Sequence, residues 1–460
     1  MSGLNTSLTI ALQSLEAQQG ALDATSNNIS NANTTGYTRE IPVFEEASQT
    51  DKGSSTAPGG VILEGYQSVR DEALGLRIDQ LTQQSSGQQA QLNSLQQVET
   101  YFSSSGTDIG SEMSAFFDSI SQLETSPGNT SLRQAVLSAG QNLATAFHTT
   151  SEGITQAVSE LNQQVTGDVE QINQLTQQIA GLNAQVAQLK ASGQDGGTSE
   201  DQLDQLVNQL SKLTDVSEIQ TESGITLTTG SGTALVSGGQ SLALQTATGT
   251  DGKTQVLDSN GNNITSTIQN GDLGGSIQVR DVTLSGLQTQ LDTLASQFAA
   301  AVNSANQVGF DNNGNAGQSF FNIPATVTGA AANISLAITD TAQIAASSDG
   351  SFGGGGNLAN LMAVSSTKLS LGASPVDAYS NLVFSVGTAT SNANAEVAGT
   401  SATLLQLTDQ QSSISGVSLD EEATNLLRYQ QAYEAAAKVI STIDLLSSVI
   451  LNMGSTSGGY

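Results

Sequence analysis

The chain has 460 residues, with 42 Asp and Glu against 12 Lys and Arg, one His, and neither Cys nor Trp. A formal charge of −30 argues against binding a nucleic-acid backbone, which needs a basic surface to displace counterions. Without Cys there is no disulfide, thiolate nucleophile or Cys-based cluster, and the lone His148 excludes multi-His zinc sites.

Charged residues make up only 12 % of the chain and aromatics 4 %, with Gln, Asn, Ser, Thr and 47 Gly in their place. That composition suits an elongated, surface-assembly chain better than a catalyst. The N-terminus has no Lys or Arg ahead of its apolar residues and does not read as a Sec signal peptide. No stretch reaches the ~20 apolar residues that span a bilayer, so membrane insertion is not expected.

From the N-terminus, Leu4, Leu8, Leu12, Leu15, Leu22 and Ile29 recur mostly at helical spacings and predict a narrow amphipathic helix over 4–29. Only Glu16 and Asp23 carry charge along it. A dense run of turn formers, 27–37, follows. Residues 38–70 read as extended, with β-type pieces at 41–44 and 61–63 separated by a Gly/Ser/Pro linker at 53–60.

Helical pattern resumes near Glu72, breaks at 125–129 and continues over 132–148, which places His148 near a helix end. Eleven apolar residues from Ile154 to Leu189, stepping by three and four, then predict a separate rod-like helix. Its 36 residues span roughly 54 Å, with Lys190 in the last turn and Gly193 as the stop. Ser199 and Gln202 suggest a capping box for a shorter partner helix carrying Leu203, Leu206, Val207, Leu210 and Leu213. An antiparallel hairpin is expected.

Period-two alternation at 225–228 and 242–244, among Gly- and Asn-rich turns, marks a small all-β unit over 219–277. Helical spacing returns from Leu284 to Val302. Residues 311–400 read as mixed, with Gly353, Gly354, Gly355 and Gly356 as a flexible break. At the C-terminus, Ser418 and Glu421 suggest a second capping box before the stripe Leu419, Leu426, Tyr433, Ala437, Ile440, Ile443, Leu446 and Ile450, ended by Gly454. Past its capping acids this helix carries two charges of each sign, Arg428, Glu434, Lys438 and Asp444. Neither terminal stripe has a partner close in sequence, so both are expected to be unfolded in the free monomer and to fold on assembly.

Chemistry finds little support. The acidic pairs at 45–46, 71–72, 200–201 and 420–422 sit where helix dipoles or solvation explain them. The runs beginning at Asp258 and Asp311 resemble calcium loops but lack the Gly at position six and the Glu at position twelve. They read as turns. No nucleotide-binding glycine fingerprint precedes a helix. No catalytic residue, metal ligand or cofactor is assigned.

The segment Ser26-Asn27-Asn28-Ile29-Ser30-Asn31-Ala32-Asn33-Thr34-Thr35-Gly36-Tyr37-Thr38-Arg39 resembles the N-terminal signature of flagellar rod, hook and hook-associated axial proteins, with Asn28, Ile29, Asn31, Gly36, Tyr37 and Arg39 as its core. The C-terminal run from Gln411 through Ser-Ile-Ser-Gly-Val and Asp420-Glu421-Glu422 to Tyr433 resembles the hook-associated protein 1 family. Further matching segments include Leu203-Asp204-Gln205-Leu206-Val207, Phe320-Phe321 and Ile338-Thr339-Asp340. Only 322–337 lie between the last two, too few for the second outer β domain that family members often carry.

The resemblance implies a structural subunit of the bacterial flagellum at the junction between hook and filament. The implied partners are copies of itself in a ring, hook protein below, a second hook-associated protein above, a cytoplasmic export chaperone on the C-terminal helix, and the flagellar type III export apparatus. The implied location is extracellular, transiently cytoplasmic before export. Another axial (hook or rod) subunit, or a secreted coiled-coil adhesin, is the alternative. The expected fold is α+β, multidomain and elongated. Residues 1–40 with 417–460 form a coiled-coil-like terminal helical domain lining an inner tube. Residues 41–218 with 276–416 form a rod of long helices plus extended segments, and 219–275 an inserted β domain.

Overall fold

The computed structural model describes residues 2–47, 59–102, 107–192, 196–221 and 224–456. The chain starts with helix α1 (Ser2–Asn31) and an antiparallel hairpin of β1 (Glu40–Glu46) and β2 (Val61–Ser68). Helices α2 (Glu72–Phe102), α3 (Ile109–Glu124), α4 (Thr130–Ala191) and α5 (Gly197–Leu213) follow. The predicted linker, except Gly59 and Gly60, and the predicted Gly193 stop lie outside the described residues.

The β unit pairs β3 (Ser217–Thr221), β4 (Gly224–Thr228), β5 (Ala234–Ser237) and β6 (Gln240–Ser241) in one antiparallel sheet. A separate hairpin joins β7 (Gln245–Thr248) to β8 (Thr254–Leu257). Helix α6 (Gly271–Gln278) runs through a π-helical turn at Val279–Thr283 into α7 (Leu284–Gln307). Short pieces follow: β9 (Phe321–Asn322), α8 (Ala330–Asn333), β10 (Ser335–Leu336) and α9 (Leu358–Ala363). Two long helices, α10 (Pro375–Ser415) and α11 (Leu419–Thr456), close the chain. The protein is 67 % helical with small antiparallel sheets, an elongated α+β fold.

Helix α4 differs most from expectation. The two helices predicted at 132–148 and 154–189 are one uninterrupted helix of 62 residues, roughly 93 Å long at 1.5 Å per residue. His148 therefore sits in its interior. The residues that read as a break are packing residues: Thr150, Ser151 and Gly153 are buried, and a Cβ on Gly153 would lie 2.7 Å from the Tyr101 ring. Small side chains there admit the Tyr101 ring.

Helix α10, in the stretch read as mixed, was missed. It starts on a strong signal, Ser374 capping the Asp377 amide with Pro375 in the first turn. The capping box expected at Ser199 does not form. The helix begins two residues earlier at Gly197, without a side-chain cap, and Ser199 turns inward to accept from Gln185. Residues 242–244 are not a strand either, because the N–H and C=O of Leu244 bond to the Asn173 side chain. Helix α6 begins inside the stretch read as β. The glycine run at 353–356 is packed rather than free: Gly355 lies against Pro127, and Gly353 donates to the Asn312 side chain. Helix α11 passes through Gly454 to Thr456.

Two cores share α4. The first gathers Phe116, Phe117, Phe298, Phe320 and Phe321, ring centroids 5.0–6.1 Å apart in contacting pairs, with α4 residues from Val136 to Leu161. The second uses Val165, Val169, Ile172 and Ile179 of α4 against Leu203, Val207 and Leu210 of α5, the β unit, and Leu273 and Ile277 of α6. Three asparagines stitch the β unit to α4 by taking its backbone groups: Asn162 at Thr254 and Gly252, Asn173 at Leu244, and Asn183 at Ile225 and Gly238. Helices α2 and α6 pack so closely that a Cβ on Gly275 would lie 2.2 Å from the Gly87 carbonyl oxygen. The runs at Asp258 and Asp311 are turns in which each carboxylate accepts backbone amides two and four residues ahead.

Candidate assembly interface

The two ends of the chain meet. Helix α1 packs along α11 and against the β1–β2 hairpin, so the partner that each terminal stripe lacks nearby in sequence is the other one. On α11 the buried seam is Glu422, Tyr429, Ala436 and Ile443, a strict seven-residue spacing that keeps one line facing a straight neighbour. On α1 the buried residues are small: Ala11, Ala17, Ala21, Ala24 and Thr25, with Asn28. Small side chains let the two helix backbones approach, and the larger leucines stand to the sides.

A polar clamp fixes the register of this pair. Asn28 donates through Nδ2 to the Glu40 carbonyl (2.8 Å) and to Glu422 Oε2 (3.2 Å). Its Oδ1 accepts from the Tyr37 hydroxyl (2.9 Å) and the Glu40 amide (3.0 Å). Arg39 donates through Nε to Glu422 Oε1 (2.8 Å) and through both Nη atoms to Glu421 (2.8 and 3.1 Å). Its own backbone N–H reaches the Ser415 carbonyl at 3.0 Å. The Glu422 side chain is 2 % exposed, and Arg39 and Asn28 occupy both of its oxygens. A buried carboxylate is tolerated only when paired and hydrogen-bonded in this way.

A second joint lies one residue back. The Thr38 amide donates to Asp201 Oδ2 at 3.0 Å, and the Gln205 side chain to the Thr35 carbonyl. Arg70, just after β2, bonds Asp201 (2.5 Å), Asp204 (3.0 Å) and the Gly197 carbonyl (3.1 Å). Lys190 at the end of α4 pairs with Glu200 at 2.7 Å. The loop 35–40 is thus held on one side by α11 and on the other by the tip of the α4–α5 hairpin.

Beside this joint a cleft between α2, α5 and β3 is lined by Asp79, Asp215 and Glu218. Burial raises Asp79 to about 6 and, with Asp204, Asp79 and Glu72 nearby, Glu218 to about 7. Both folded values lie above the ordinary carboxylate range near ~4. Their stability contribution is therefore complete below that range and lost as pH rises toward 6–7. The thermal midpoint, followed by circular dichroism, is expected to fall between about pH 5 and pH 8, and Glu218→Gln to flatten that slope.

The sequence-predicted residues divide. Asn28, Gly36, Tyr37 and Arg39 converge on the clamp and the second joint, Gly36 against the Gln205 side chain. Asn31 caps the following turn through Thr34, and Ile29 is half-buried. On α1, Leu4, Leu8, Leu15 and Leu22 are half-buried and Leu12 is exposed. On α11, Ile443 is buried and Leu426, Tyr433, Ala437 and Ile440 are half-buried, while Leu419, Leu446 and Ile450 are exposed. Exposed Leu427, Val439, Leu445, Val449 and Leu451 extend that outer apolar surface. Glu421 spends its carboxylate on Arg39, and Ser418 accepts the Glu422 amide through its backbone carbonyl. Pattern reading missed Glu422, Tyr429 and Ala436 as the contact seam, although their seven-residue spacing carries the signal.

Among the described residues, no cluster of three His, Asp or Glu is placed to hold a metal ion, and no helix is long and apolar enough to cross a membrane.

The model of the flagellar hook-associated protein FlgK helical domain matches residues 95–321. The flagella basal body rod protein model matches 8–38, and the C-terminal model of the flagellar basal body rod FlgEFG proteins matches 410–453. Flagellar hook-associated protein 1 of Escherichia coli is 28 % identical over 540 aligned positions, covering 96 % of this chain and 98 % of the relative. That of Bacillus subtilis is 28 % identical over 503, covering 97 % and 98 %. The structure of the flagellar hook junction protein FlgK from Burkholderia pseudomallei superposes with a TM-score of 0.67 at 19 % identity, over 74 % of this chain and all of that one. With relatives aligned end to end and the axial models falling on the two clamped termini, the chain is similar along nearly its whole length to flagellar hook-associated protein 1.

Proposed function

We infer that this chain is a structural subunit of the bacterial flagellum at the junction between hook and filament. The observation that carries this reading is the pairing of the chain ends: the axial motif around Asn28 and Arg39 grips Glu421 and Glu422, leaving an apolar outer face on α11. An exposed stripe of this kind favours burial against other subunits. Residues 1–40 with 417–460 then line an inner tube, 41–218 with 276–416 form the rod around it, and 219–275 project outward. Copies of the chain form a ring, with hook protein below and the second hook-associated protein above. Before assembly the chain is extracted from the cytoplasm by the type III export apparatus, with an export chaperone covering the α11 face.

Electron microscopy of cells lacking this protein tests the reading. Hooks without filaments, with filament protein lost to the medium, are expected. Normal filaments overturn it, and loss of the hook as well points to a hook or rod subunit. Within the same strain, Ile440→Asp or Leu426→Asp is expected to abolish filament formation while far-ultraviolet circular dichroism shows the rod still folded. Each places a charge on a half-buried apolar position, costing more in a packed assembly than in the free chain.

A further inference from the structure

Helices α6 and α7 run as one helix through the π-helical turn at Val279–Thr283, where the Leu284 amide reaches back five residues to the Val279 carbonyl. Such a turn holds one residue more than an α-helical turn. It falls at the level where the helices change cores. On α4, Leu161 belongs to the first core and Val165 to the second, while on the other helix Ile277 belongs to the second and Leu284 to the first. At that level sits Arg280, 1 % exposed. Its Nε and Nη2 donate to the two oxygens of Asp281 at 2.9 and 3.0 Å. Its Nη1 donates to Asn162 Oδ1 on α4 (3.0 Å) and to the Thr254 carbonyl of β8 (2.8 Å). Asp281 also takes Lys253 Nζ at 3.1 Å, and that ammonium bonds the Ser285 hydroxyl of α7 at 2.9 Å. Asn162 accepts the Thr254 amide at 2.9 Å and donates to the Gly252 carbonyl at 3.2 Å. Three successive residues of the β7–β8 hairpin, 252–254, are thus tied to both helices. The hairpin is a sheet of its own, and between 245 and 257 only Val256 is fully buried. A two-stranded hairpin is marginal by itself, so this attachment decides its order.

We propose that the β7–β8 hairpin is a strap fastened across the level where α4 and α6–α7 pass from one core to the other. Arg280 is its buckle, and the π-helical turn is the distortion that seats the buckle. On a regular α-helix neighbouring residues do not face each other. The wider turn lets Asp281 lie bidentate on Arg280 while the guanidinium still reaches α4 and β8. The extra residue has a second effect. Each residue of an α-helix turns the side chains by about 100°, so one inserted residue rotates the α6 stripe away from the α7 stripe by about that angle. Fastened, the strap holds the two cores at this rotational setting. Unfastened, the hairpin stays attached mainly through Val256, and nothing on it supports the wider turn. A displacement of this hairpin therefore reaches the rod at one place, the Arg280 buckle.

The test reads amide hydrogen exchange by mass spectrometry on the full-length protein. In Arg280→Ala, exchange over 245–257 is expected to quicken about tenfold or more, while 224–241 and 284–302 keep their protection. Arg280→Lys is expected to behave like the alanine variant, because an ammonium lacks the fork that serves Asp281, Asn162 and Thr254 together. Deleting Val282, which is 58 % exposed within the turn, removes the extra residue and leaves α6 and α7 facing their own cores. That deletion is expected to keep the thermal midpoint within about 3 °C of the wild type and yet to free 245–257 as Arg280→Ala does. Deleting Thr293 from the middle of α7 turns every later side chain by about 100° and is expected to unfold the rod. The proposal is overturned if 245–257 keeps its protection in Arg280→Ala or in the Val282 deletion, if Arg280→Lys protects it as the wild type does, or if the two deletions destabilise equally. Should Arg280→Ala fail to fold, Asn162→Ala, which removes both Asn162 bonds to the hairpin, is read in its place with the same two outcomes.

Discussion

Replacing Arg39 with alanine is expected to part the two chain ends and leave the rod standing. The substitution strands Glu422, whose 2 %-exposed side chain takes one of its hydrogen bonds from Arg39 Nε at 2.8 Å. Removing one partner of a buried ion pair costs about 3–5 kcal/mol, chiefly because the other charge is left uncompensated. Hydrogen exchange should therefore rise over α1 and α11 while α4 keeps its protection, and cells carrying the variant should lose filaments. Glu421→Gln is the control. Glu421 is 56 % exposed, and exposed pairs contribute about 1 kcal/mol or less. Equal effects from the two variants would show that the buried member does not govern the clamp.

Phe116→Ala is expected to strike the opposite end of the molecule. Phe116 is fully buried and meets Phe117, Phe298, Phe320 and Phe321. It ties α3 to α7 and to the strand pair at 321–336. Truncating such a ring costs about 3–5 kcal/mol in lost burial and cavity formation. Urea unfolding should show that loss in the transition of the rod. The terminal pair, which contributes no side chain to this core, should keep its exchange pattern. A loss below about 1 kcal/mol would mean that the aromatic cluster collapses around the cavity without penalty.

What was legible in the sequence follows from what each element needs. The hairpin partner α5 and α7 each bury one stripe of branched apolar residues, visible in any window of the chain. The terminal helices are legible as helices from their leucine spacing, although most of the residues they bury lie beside that stripe. Helix α10 is not, because it meets α2 through two small, separate clusters, Ala389, Ala393 and Val397 in one and Leu404 and Leu407 in the other, and carries Ser and Thr throughout. Ser380, Ser385, Thr390, Thr403 and Thr408 satisfy their hydroxyls on carbonyls of the preceding turn, so residues that favour loops elsewhere sit in a helix at little cost. The continuity of α4 was hidden for a related reason: Gly153 is small to admit Tyr101. The clamp was half visible. Arg39 belongs to a recognisable motif, but Glu422 looked like a helix-start acid, and nothing local links residues 383 apart.

Helix α4 also decides how force travels through the subunit. It is common to both cores and has no proline over its 62 residues, so its hydrogen-bond ladder runs unbroken by proline from one core to the other. The connections at 32–39 and 416–418 are held differently. There the clamp and the Arg70 joint are built from ion pairs and hydrogen bonds rather than interlocked apolar side chains. Charged contacts re-form after a small displacement, whereas a packed core must be broken and repacked. The subunit is a long spar whose end is mounted through re-formable polar contacts, and strain applied to it is expected to gather in the few residues around Thr38.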